Sequence, residues 1–410
     1  MSQVRRIALL LGQDLGYCRG VFHGIQSYAA EGRNWVFRDG PPDRTTLGPL
    51  KGWKPHGVIA HLFLPDVAAD LAKLRVPVVN TTSTLLSAAY AVHKKTSEAP
   101  TVPDFPLVEV DHMEVGRLAA EHFLERGFQS FGYFGSSWTH FSQMRERGFR
   151  MRLAEAGFAA SSCYAEYLPR LAAKTSWKGI DQRVRRWLRP LAKPVGILAS
   201  NDIPARDLAE MCRQLGLRVP DDVALVGVDN DRLQCGLTFP PLSSVSIPAE
   251  RIGYEAARLL DGLMVGKKPP SGPMLLPPLH VVTRQSTDIV AIDDRDVARA
   301  LARIRRDAAR QLTVSEVARQ AGVGRRVLER KFQTLLGSTI LKEIRRARIQ
   351  YAKELLADTD LPIQIIASQV GFSGPQRLSL AFRQLTGMAP SAYRRQSQVH
   401  QGATSPIGRV

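Results

Sequence analysis

Apolar and polar positions divide the chain into two regions with different patterns. From residue 5 to about 283, short aliphatic runs alternate with longer amphipathic segments, which predicts parallel strands with helices on both faces of a sheet. The predicted strands cover residues 7–11, 57–61, 76–80, 107–110, 131–134, 195–199 and 223–228. The predicted helices, with apolar residues at i, i+3 and i+4, cover residues 116–126, 143–156, 204–215 and 249–264.

Two α/β lobes are expected, because about 280 residues exceed one such sheet and the Pro- and Thr-rich stretch 81–106 interrupts the pattern. Ligands of open α/β sheets bind beyond the carboxyl ends of the strands. The polar residues that directly follow predicted strands are Asp14, Asp111, Asn201, Asp202 and Asp229. Each alone is typical of a helix cap or a turn. Together with Arg145 and the aromatic residues Tyr17, Trp138 and Phe141 they have the composition of a carbohydrate cleft.

From about residue 290 onward the pattern is helical throughout. After an amphipathic helix predicted at 293–309, a short helix, a glycine-containing turn and a longer helix follow at 313–320, 321–323 and 325–335. The same helix-turn-helix arrangement recurs about 49 residues later, at 362–370, 371–373 and 375–385. A single pattern of this kind is imitated by any packed helix pair, so the duplication is the informative feature. A helix predicted at 339–357 separates the units and is about 28 Å long, close to the roughly 34 Å between successive major-groove faces.

The charge of the chain is concentrated in this second region. The 410 residues carry 56 Lys and Arg against 38 Asp and Glu, a net charge of +18. Residues 295–395 hold 20 of the basic and 8 of the acidic residues, so this quarter has a net charge of +12. Basic contacts to phosphate supply most non-specific nucleic-acid affinity, whereas charge alone leaves open a solvated surface or attraction to acidic lipid. The duplicated helix-turn-helix pattern favours double-stranded DNA as the partner.

Several other classes of function lack their sequence signatures. The four cysteines, Cys18, Cys163, Cys212 and Cys235, form no C-x-x-C pair and the histidines form no metal-binding pair, so we expect buried free thiols, no metal site and no cofactor. No nucleophile elbow, P-loop or dinucleotide-binding glycine motif occurs, so we do not expect an enzyme. The apolar run after Arg6 ends at Gly12, without a cleavage site and far short of a spanning helix. We therefore expect a cytoplasmic protein with no membrane partner.

The first region resembles the periplasmic-binding-protein-like sensor of the lac repressor family, over about residues 5–283. The resemblance rests on Asp111 followed by GRLAAEH at 116–122, RERGF at 145–149, ASND at 199–202, VGVDN at 226–230 and PLSSV at 241–245. It implies that Arg145, Asn201, Asp202 and Asp229 meet the hydroxyls of a sugar. Proteins of the lac repressor type carry a helix-turn-helix at the N-terminus, whereas this sequence starts directly at the first sensor strand.

The last hundred residues resemble the DNA-binding domain of the AraC family of transcription activators. The resemblance rests on LERKF at 328–332 with Gly337, GFS at 371–373, FR at 382–383 and GMAPSAYR at 387–394. It implies that the base-facing positions are Arg326, Glu329, Arg330, Gln376, Arg377 and Leu380, of which Arg, Gln and Glu suit guanine, adenine and cytosine. Leu380 stands where the family often has Arg, so its contact would be apolar. We expect phosphate contacts from Arg325, Arg383, Arg394 and Arg395.

The predicted fold class is therefore an α/β two-lobe periplasmic-binding-protein-like sensor followed by an all-α double helix-turn-helix domain. The predicted domains are residues 1–288 and 289–395, and we expect a disordered tail at 396–410. This domain order resembles that of bacterial sugar-operon regulators, which implies a small sugar effector, with D-xylose as the leading aldose. It also implies a homodimer that binds promoter DNA as an activator and contacts RNA polymerase. A ligand-responsive repressor of another aldose operon and a sugar-acting enzyme with a DNA-targeting domain remain as alternatives.

Overall fold

The computed structural model describes residues 4–83, 103–165, 177–289, 294–308, 310 and 312–397. The first region alternates strands and helices as predicted: β1 (Arg5–Leu10), α1 (Gly16–Ala30), β2 (Trp35–Gly40), α2 (Arg44–Trp53), β3 (Gly57–Ala60), α3 (Pro65–Ala72), β4 (Val78–Asn80), β5 (Val108–Val110), α4 (His112–Leu124), β6 (Ser130–Gly135), α5 (His140–Glu155), β7 (Ala160–Tyr164), α6 (Trp177–Leu188), β8 (Val195–Ala199), α7 (Asp202–Gln214), β9 (Val223–Val228), α8 (Arg232–Leu237), β10 (Ser243–Val245), α9 (Ala249–Met264), β11 (Met274–Leu276), β12 (Val281–Val282) and a 3-10 turn (Gln285–Thr287). The second region is helical: α10 (Arg295–Arg306), α11 (Val314–Ala321), α12 (Arg325–Leu336), α13 (Ile340–Asp358), α14 (Ile363–Gln369), α15 (Pro375–Thr386) and α16 (Pro390–Ser397).

The first lobe is built on a parallel sheet in the order β2–β1–β3–β4, which β5 and β11 extend beyond β4. Successive side chains of a strand point to opposite faces, and β1 uses both faces. Ile7 and Leu9 belong to the core that holds α1 and α9, whereas Ala8 and Leu10 pack with α2 and α3. The lobe is therefore a sheet covered by helices on both sides, as the continuous aliphatic runs predict.

The second lobe is built on a six-stranded sheet in the order β12–β10–β9–β8–β6–β7, in which β12 is antiparallel to β10. Helices α4 and α5 pack against each other at two glycines. A Cβ atom at Gly116 would lie 2.0 Å from the carbonyl oxygen of Arg145, and one at Gly148 would lie 2.0 Å from that of Met113. Only glycine allows so close an approach of two helix backbones, and this approach fixes the position of Arg145 on α5.

The chain passes between the lobes three times, and the crossing segments bond to one another. They are residues 110–112 after β5, residues 246–248 after β10 and residues 276–281 between β11 and β12, and together we call them the hinge. The amide of Asp111 donates to the carbonyl of Leu276 at 2.7 Å. The amide of Ser246 donates to His280 at 2.7 Å, and the amide of Leu279 donates to Ser246 at 2.9 Å. A rotation of one lobe against the other therefore acts on all three segments.

The helical region has two hydrophobic cores that share one helix. The first half of α13, with Ile340 and Ile344, packs with α10, α11 and α12. The second half, with Ile349 and Leu356, packs with α14, α15 and α16. The helix runs from Ile340 to Asp358 with Thr339 as its N-cap, close to the prediction of 339–357. The two helix-turn-helix units are thus joined by one continuous helix.

Helix limits in this region follow capping chemistry. Thr313 and Glu316 form a reciprocal capping box at the start of α11, and Gly322 ends the helix in the left-handed conformation with φ of +81°. The Asp294 carboxylate caps α10 by accepting from the amides of Asp296 and Val297, so that helix starts at Arg295, two residues after the predicted start. Asp293 and Ala309, which limit the predicted helix, lie outside the described residues, as do positions 84–102 of the interrupting stretch. Residues 396 and 397 of the predicted tail 396–410 belong to α16, and the rest of that tail lies outside the described residues. The predicted domain limit at 288 stays a prediction.

Five of the described strands were not predicted: β2, β7, β11 and β12 lie at sheet edges, and β10 is a three-residue strand inside the second sheet. Four of the six residues of β2 are exposed, and β7 contains two consecutive serines, so neither has the aliphatic run of a central strand. All four cysteines are free and buried, as expected. In the part of the chain that the structure describes, no helix is long and apolar enough to cross a membrane.

Candidate effector cleft and DNA-binding surface

A cavity of about 290 Å³ lies between the two lobes, at the carboxyl ends of the strands. Its lining follows strand after strand: Asp14 and Tyr17 after β1, His61 after β3, Thr81 after β4, Glu109 and His112 at β5, Ser136 after β6, Asn201 and Asp202 after β8, and Asp229 after β9. Phe63, Phe141 and Arg145 complete its apolar and basic wall. Both lobes and the hinge therefore contribute to one site, as the strand-end rule predicts.

Four of the lining residues form a row of alternating donors and acceptors across the hinge. Glu109 on β5 faces the imidazole of His112 at 3.4 Å. The other ring nitrogen of His112 accepts from Arg145 Nε at 3.3 Å, and the Arg145 guanidinium faces Asp229 at 3.6 Å. The Arg145 guanidinium also donates to the carbonyl of Ser200 and lies 5.0 Å from the centre of the Phe141 ring. Arg145 is only 4% exposed, so its direction is fixed before any ligand arrives.

Burial sets the charges along this row. It lowers the pKa of His112, so the ring is neutral and can accept from Arg145. For Glu109, burial favours the neutral acid, but the hydrogen bond from His112, together with hydrogen bonds from Ser83, outweighs burial and lowers the pKa. For Asp229, burial outweighs the attraction of Arg145 and raises the pKa to about 6. A ligand that donates hydroxyl hydrogens to Asp229 would favour its ionised form.

Asp202 lines the same cavity, but its carboxylate has intramolecular partners. One oxygen accepts from the hydroxyl of Ser244 at 2.6 Å, and the other accepts from the amide of Asp231 at 2.8 Å. Burial, with the nearby charge of Asp229, raises the pKa of Asp202 well above its usual range. Asp202 therefore holds the loop after β9 in place, and Asp229 is the carboxylate that is free to meet a ligand directly.

Four buried polar atoms around the cavity have no hydrogen-bond partner among the described residues. They are Nδ1 of His61, Oγ1 of Thr139, Oδ1 of Asn201 and Oδ2 of Asp207. Asn201 stands at the N-cap of α7, yet its side chain makes no capping bond. A buried polar atom without a partner costs about 1 to 3 kcal/mol, so a polar ligand or water in the cavity is needed to satisfy these atoms.

The structure places the other predicted cleft residues differently. Tyr17 lines the cavity, and its hydroxyl donates to the carbonyl of Thr81 at 2.7 Å, which leaves the oxygen free to accept. Asp14 lies exposed at the rim of the cavity. Asp111 is not part of the lining, because its carboxylate accepts from the amides of Met113 and Glu114 as the N-cap of α4. Trp138 is also outside the lining and is 38% exposed. The expected ligand contact of Asp111 is thus replaced by a capping role.

Sequence reasoning missed His61, Glu109 and His112. His61 is the last residue of the predicted strand 57–61, and His112 lies two positions after the predicted strand 107–110. The strand-end rule that selected the aspartates would therefore have selected both histidines. Glu109 is a charged residue inside the aliphatic strand β5, and a charge at a buried strand position is itself a signal of a functional site.

The predicted base-facing residues lie on two exposed helix faces. Arg325, Arg326 and Arg330 are exposed on α12, and Glu329 on the same helix accepts from Arg325 at 2.9 Å. Gln376, Arg377, Leu380 and Arg383 are exposed on α15. Leu380 is 63% exposed, so its side chain is accessible to an apolar contact with a partner. Buried Leu328, Phe332, Leu378 and Phe382 on the opposite faces hold both helices in their cores.

Arg394 differs from the other predicted DNA contacts. Its guanidinium donates to the carbonyl of Leu361, just before α14, and its Nε atom is buried. The side chain thus ties α16 to the second helix-turn-helix unit, and the structure gives it a structural role in place of the expected phosphate contact. Arg395, the next residue, is exposed.

Comparisons with known proteins match both regions. Residues 120–287 match the periplasmic binding protein-like domain family, and residues 317–396 match a helix-turn-helix domain family. The xylose operon regulatory protein of Escherichia coli strain K12 is 29% identical over 393 residues, covering 95% of this chain and 96% of that protein. The protein of the same name in Haemophilus influenzae is 28% identical over 96% of this chain and 99% of its own. A solved structure of the xylose-binding transcription activator xylR has a TM-score of 0.59 and 28% identity, and covers 97% of this chain and all of that one.

A two-lobe sensor with an interlobe cavity, followed by two helix-turn-helix units, defines a class: the chain is a DNA-binding transcription regulator and not an enzyme. Within that class, it is similar over nearly its full length to the xylose operon regulatory proteins. These matches confirm the predicted fold class and the resemblances on which it rests.

Proposed function

We propose that this chain is a D-xylose-responsive activator of transcription that works as a homodimer in the cytoplasm, where the promoter DNA is. The observation that carries the proposal is the interlobe cavity, where a fixed arginine, an available carboxylate and unpartnered polar atoms face one space. Relatives of nearly the same length carry xylose in their names, which makes D-xylose the leading effector.

The chemistry of the cavity suits a small polyol. Asp229 accepts from two neighbouring hydroxyls, Arg145 donates to a ring or hydroxyl oxygen, and the unpartnered oxygen of Asn201 accepts from a third hydroxyl. The rings of Phe63 and Phe141 supply apolar surface for the C–H face of the sugar. Ligand pockets span about 300 to 1,000 Å³, so a cavity of about 290 Å³ favours a monosaccharide over an oligosaccharide.

Sugar binding would be linked to a change in the angle between the lobes, because the ligand contacts both of them. Two pairs already bridge the lobes at the rim of the cleft. Arg19 on α1 bonds Asp231 at 2.8 Å, and Ser83 bonds His140 on α5 at 2.7 Å. A sugar that contacts both walls adds to these bonds and so favours the closed arrangement over the open one.

The helical domain supplies the output. In the proposal, Arg326, Glu329 and Arg330 on α12 and Gln376, Arg377 and Leu380 on α15 contact bases in adjacent major-groove segments. Arg325 and Arg383 contact phosphates, and an exposed face of the bound dimer contacts RNA polymerase.

The test measures sugar binding and the effect of the sugar on DNA binding and transcription. Calorimetry of the full chain with D-xylose, L-arabinose, D-ribose and D-glucose should give the smallest Kd for D-xylose. A duplex enriched by the protein from a random-sequence pool should bind more tightly when D-xylose is present, and in vitro transcription from a promoter with that site should rise. A fall in transcription would indicate a repressor, and absence of binding to any aldose would refute the proposal.

A further inference from the structure

The hinge contacts the sugar cavity on one side and the DNA-binding domain on the other. His112 of the first crossing and Glu109, just before that crossing on β5, line the cavity. His280 and Val281, at the third crossing, bond to the helical domain. The crossings are joined by the hydrogen bonds between backbone groups described above, so a few residues separate the two functions.

Two contacts fix the second helix-turn-helix unit to the hinge. Nδ1 of His280 and the hydroxyl of Tyr393 on α16 are 3.2 Å apart. Both side chains are buried, since His280 is 0% and Tyr393 is 5% exposed. The side-chain amide of Gln350, in the half of α13 that packs with this unit, donates to the carbonyl of Val281 at 3.0 Å. The ring of Tyr393 packs edge-on against Phe382 on α15, with 5.4 Å between ring centroids. Tyr393 therefore contacts both the hinge and the recognition helix α15.

The first unit is held elsewhere. Helix α10 packs in the core of the first unit. Its Arg305 donates to the carbonyl of Glu125, at the end of α4, at 2.7 Å. It also donates to the carbonyl of Ile289 at 3.4 Å. Helix α4 is part of the second lobe, so this attachment moves with that lobe. Val281, to which the second unit is attached, begins β12 of the same lobe, so both attachments connect the helical domain to the second lobe and to the hinge beside it.

We propose that the hinge is the docking surface of the second helix-turn-helix unit, and that the contacts of Tyr393 and Gln350 transmit lobe closure to α15. In this arrangement sugar binding changes the position of the helical domain, in which α13 holds α12 and α15 together, relative to the lobes of the sensor. The inference rests on the proposed function, since it names the path by which the sugar cavity acts on DNA.

The test compares variants of the full chain that keep the cavity and the DNA-facing residues intact. Tyr393→Phe removes the hydroxyl but keeps the ring that packs on Phe382, so the fold should be preserved. Gln350→Ala removes the second contact. Tyr351→Phe is the matched control, because its hydroxyl makes no hydrogen bond with the described residues and lies on the same helix as Gln350. The readout is the ratio of the Kd values for the enriched duplex without and with saturating D-xylose.

We expect this ratio to fall by about twofold to tenfold in Tyr393→Phe and in Gln350→Ala, which corresponds to the loss of one net hydrogen bond. The Kd for D-xylose in the absence of DNA should not change, and the control should keep the ratio of the unmodified chain. The unmodified chain should also bind D-xylose more tightly when it is already bound to the duplex. The factor should equal the one by which D-xylose tightens duplex binding, because coupling between two sites is reciprocal.

The outcomes separate the two proposals. If D-xylose changes the duplex affinity of the unmodified chain but both variants keep the full ratio, the hinge path is wrong and the proposed function stands. If D-xylose has no effect on the duplex affinity of the unmodified chain, the proposed function and the hinge path are both refuted. If Tyr351→Phe lowers the ratio as much as Tyr393→Phe does, the loss is a general effect of packing and the path is again refuted.

Discussion

Replacement of Asp229 by Asn is the sharpest test of the effector cleft. The carboxylate is 19% exposed, faces the cavity and lies 3.6 Å from Arg145. The backbone of Asp229 has φ of +104°, a conformation that Asn tolerates better than Ala. Asp229→Asn therefore removes the charge without adding the backbone strain that an alanine would bring.

The magnitude follows from the bonds that the carboxylate makes. A hydrogen bond to a charged group contributes about 1.5 to 3 kcal/mol and a neutral one about 0.5 to 1.5 kcal/mol. If Asp229 accepts from two hydroxyls, Asp229→Asn replaces two charged hydrogen bonds by neutral ones and loses about 2 to 3 kcal/mol of binding free energy. The Kd for D-xylose should then rise by about 30-fold to 150-fold. Calorimetry at pH 7.5 measures this directly, and Asp221→Asn, an exposed carboxylate 53% accessible and away from the cavity, is the control.

The pH dependence gives a second, independent check. Burial raises the pKa of Asp229 to about 6, so the carboxylate is ionised above that pH and protonated below it. Because sugar binds the ionised form, affinity should be full at pH 8 and fall as the pH drops through 6, by about tenfold at pH 5. Asp229→Asn should lack this step. A Kd within threefold of the unmodified chain, or a variant that keeps the step, would refute the role of Asp229 as hydroxyl acceptor.

Four further variants test the packing and the DNA surface. Gly116→Ala places a methyl group against a carbonyl of α5, so we expect a loss of about 1 to 3 kcal/mol in unfolding free energy, seen as a lower Tm, and weaker xylose binding. Arg377→Ala should lose about 1 to 3 kcal/mol of binding free energy on the enriched duplex and little on a scrambled duplex. Arg383→Ala should weaken binding to both duplexes equally and reduce the slope of log affinity against log salt concentration by about one. Equal losses on both duplexes for Arg377→Ala would show that α15 does not read bases. Arg394→Ala should lower Tm, because the half-buried carbonyl of Leu361 before α14 loses its donor, and should leave the salt slope unchanged. A reduced slope at unchanged Tm would restore Arg394 as a phosphate contact.

The sequence predicts central elements well because burial on both faces leaves an unmistakable pattern. Two central strands, Val195–Ala199 and Val223–Val228, have the predicted limits, whereas the edge strands β2 and β7 were missed because solvent covers part of them. The buried strand β10 was missed because its three residues, two of them serines, form no aliphatic run. The helices of the DNA-binding region were located through their caps and glycines, which are local features.

The candidate site is predicted less completely, because its chemistry depends on contacts between distant residues. Asp202 and Asp229 both follow strands, and nothing local distinguishes them. Ser244, 42 positions from Asp202, occupies one of its oxygens, and this partner is visible only in the folded chain. The role of Arg394 depends in the same way on Leu361, which is 33 positions away.

The continuous helix α13 has a consequence for the DNA itself. Because this helix contributes to both hydrophobic cores, the two recognition helices are held about one helix length apart, and 19 residues give about 28 Å. Successive major-groove segments on a straight duplex are about 34 Å apart. The spacing of the recognition helices is thus shorter than the spacing of the groove segments on a straight duplex. Both segments can reach their recognition helices only if the duplex bends toward the protein. Base pairs between the two contacted segments would then be selected for flexibility, although no side chain touches them.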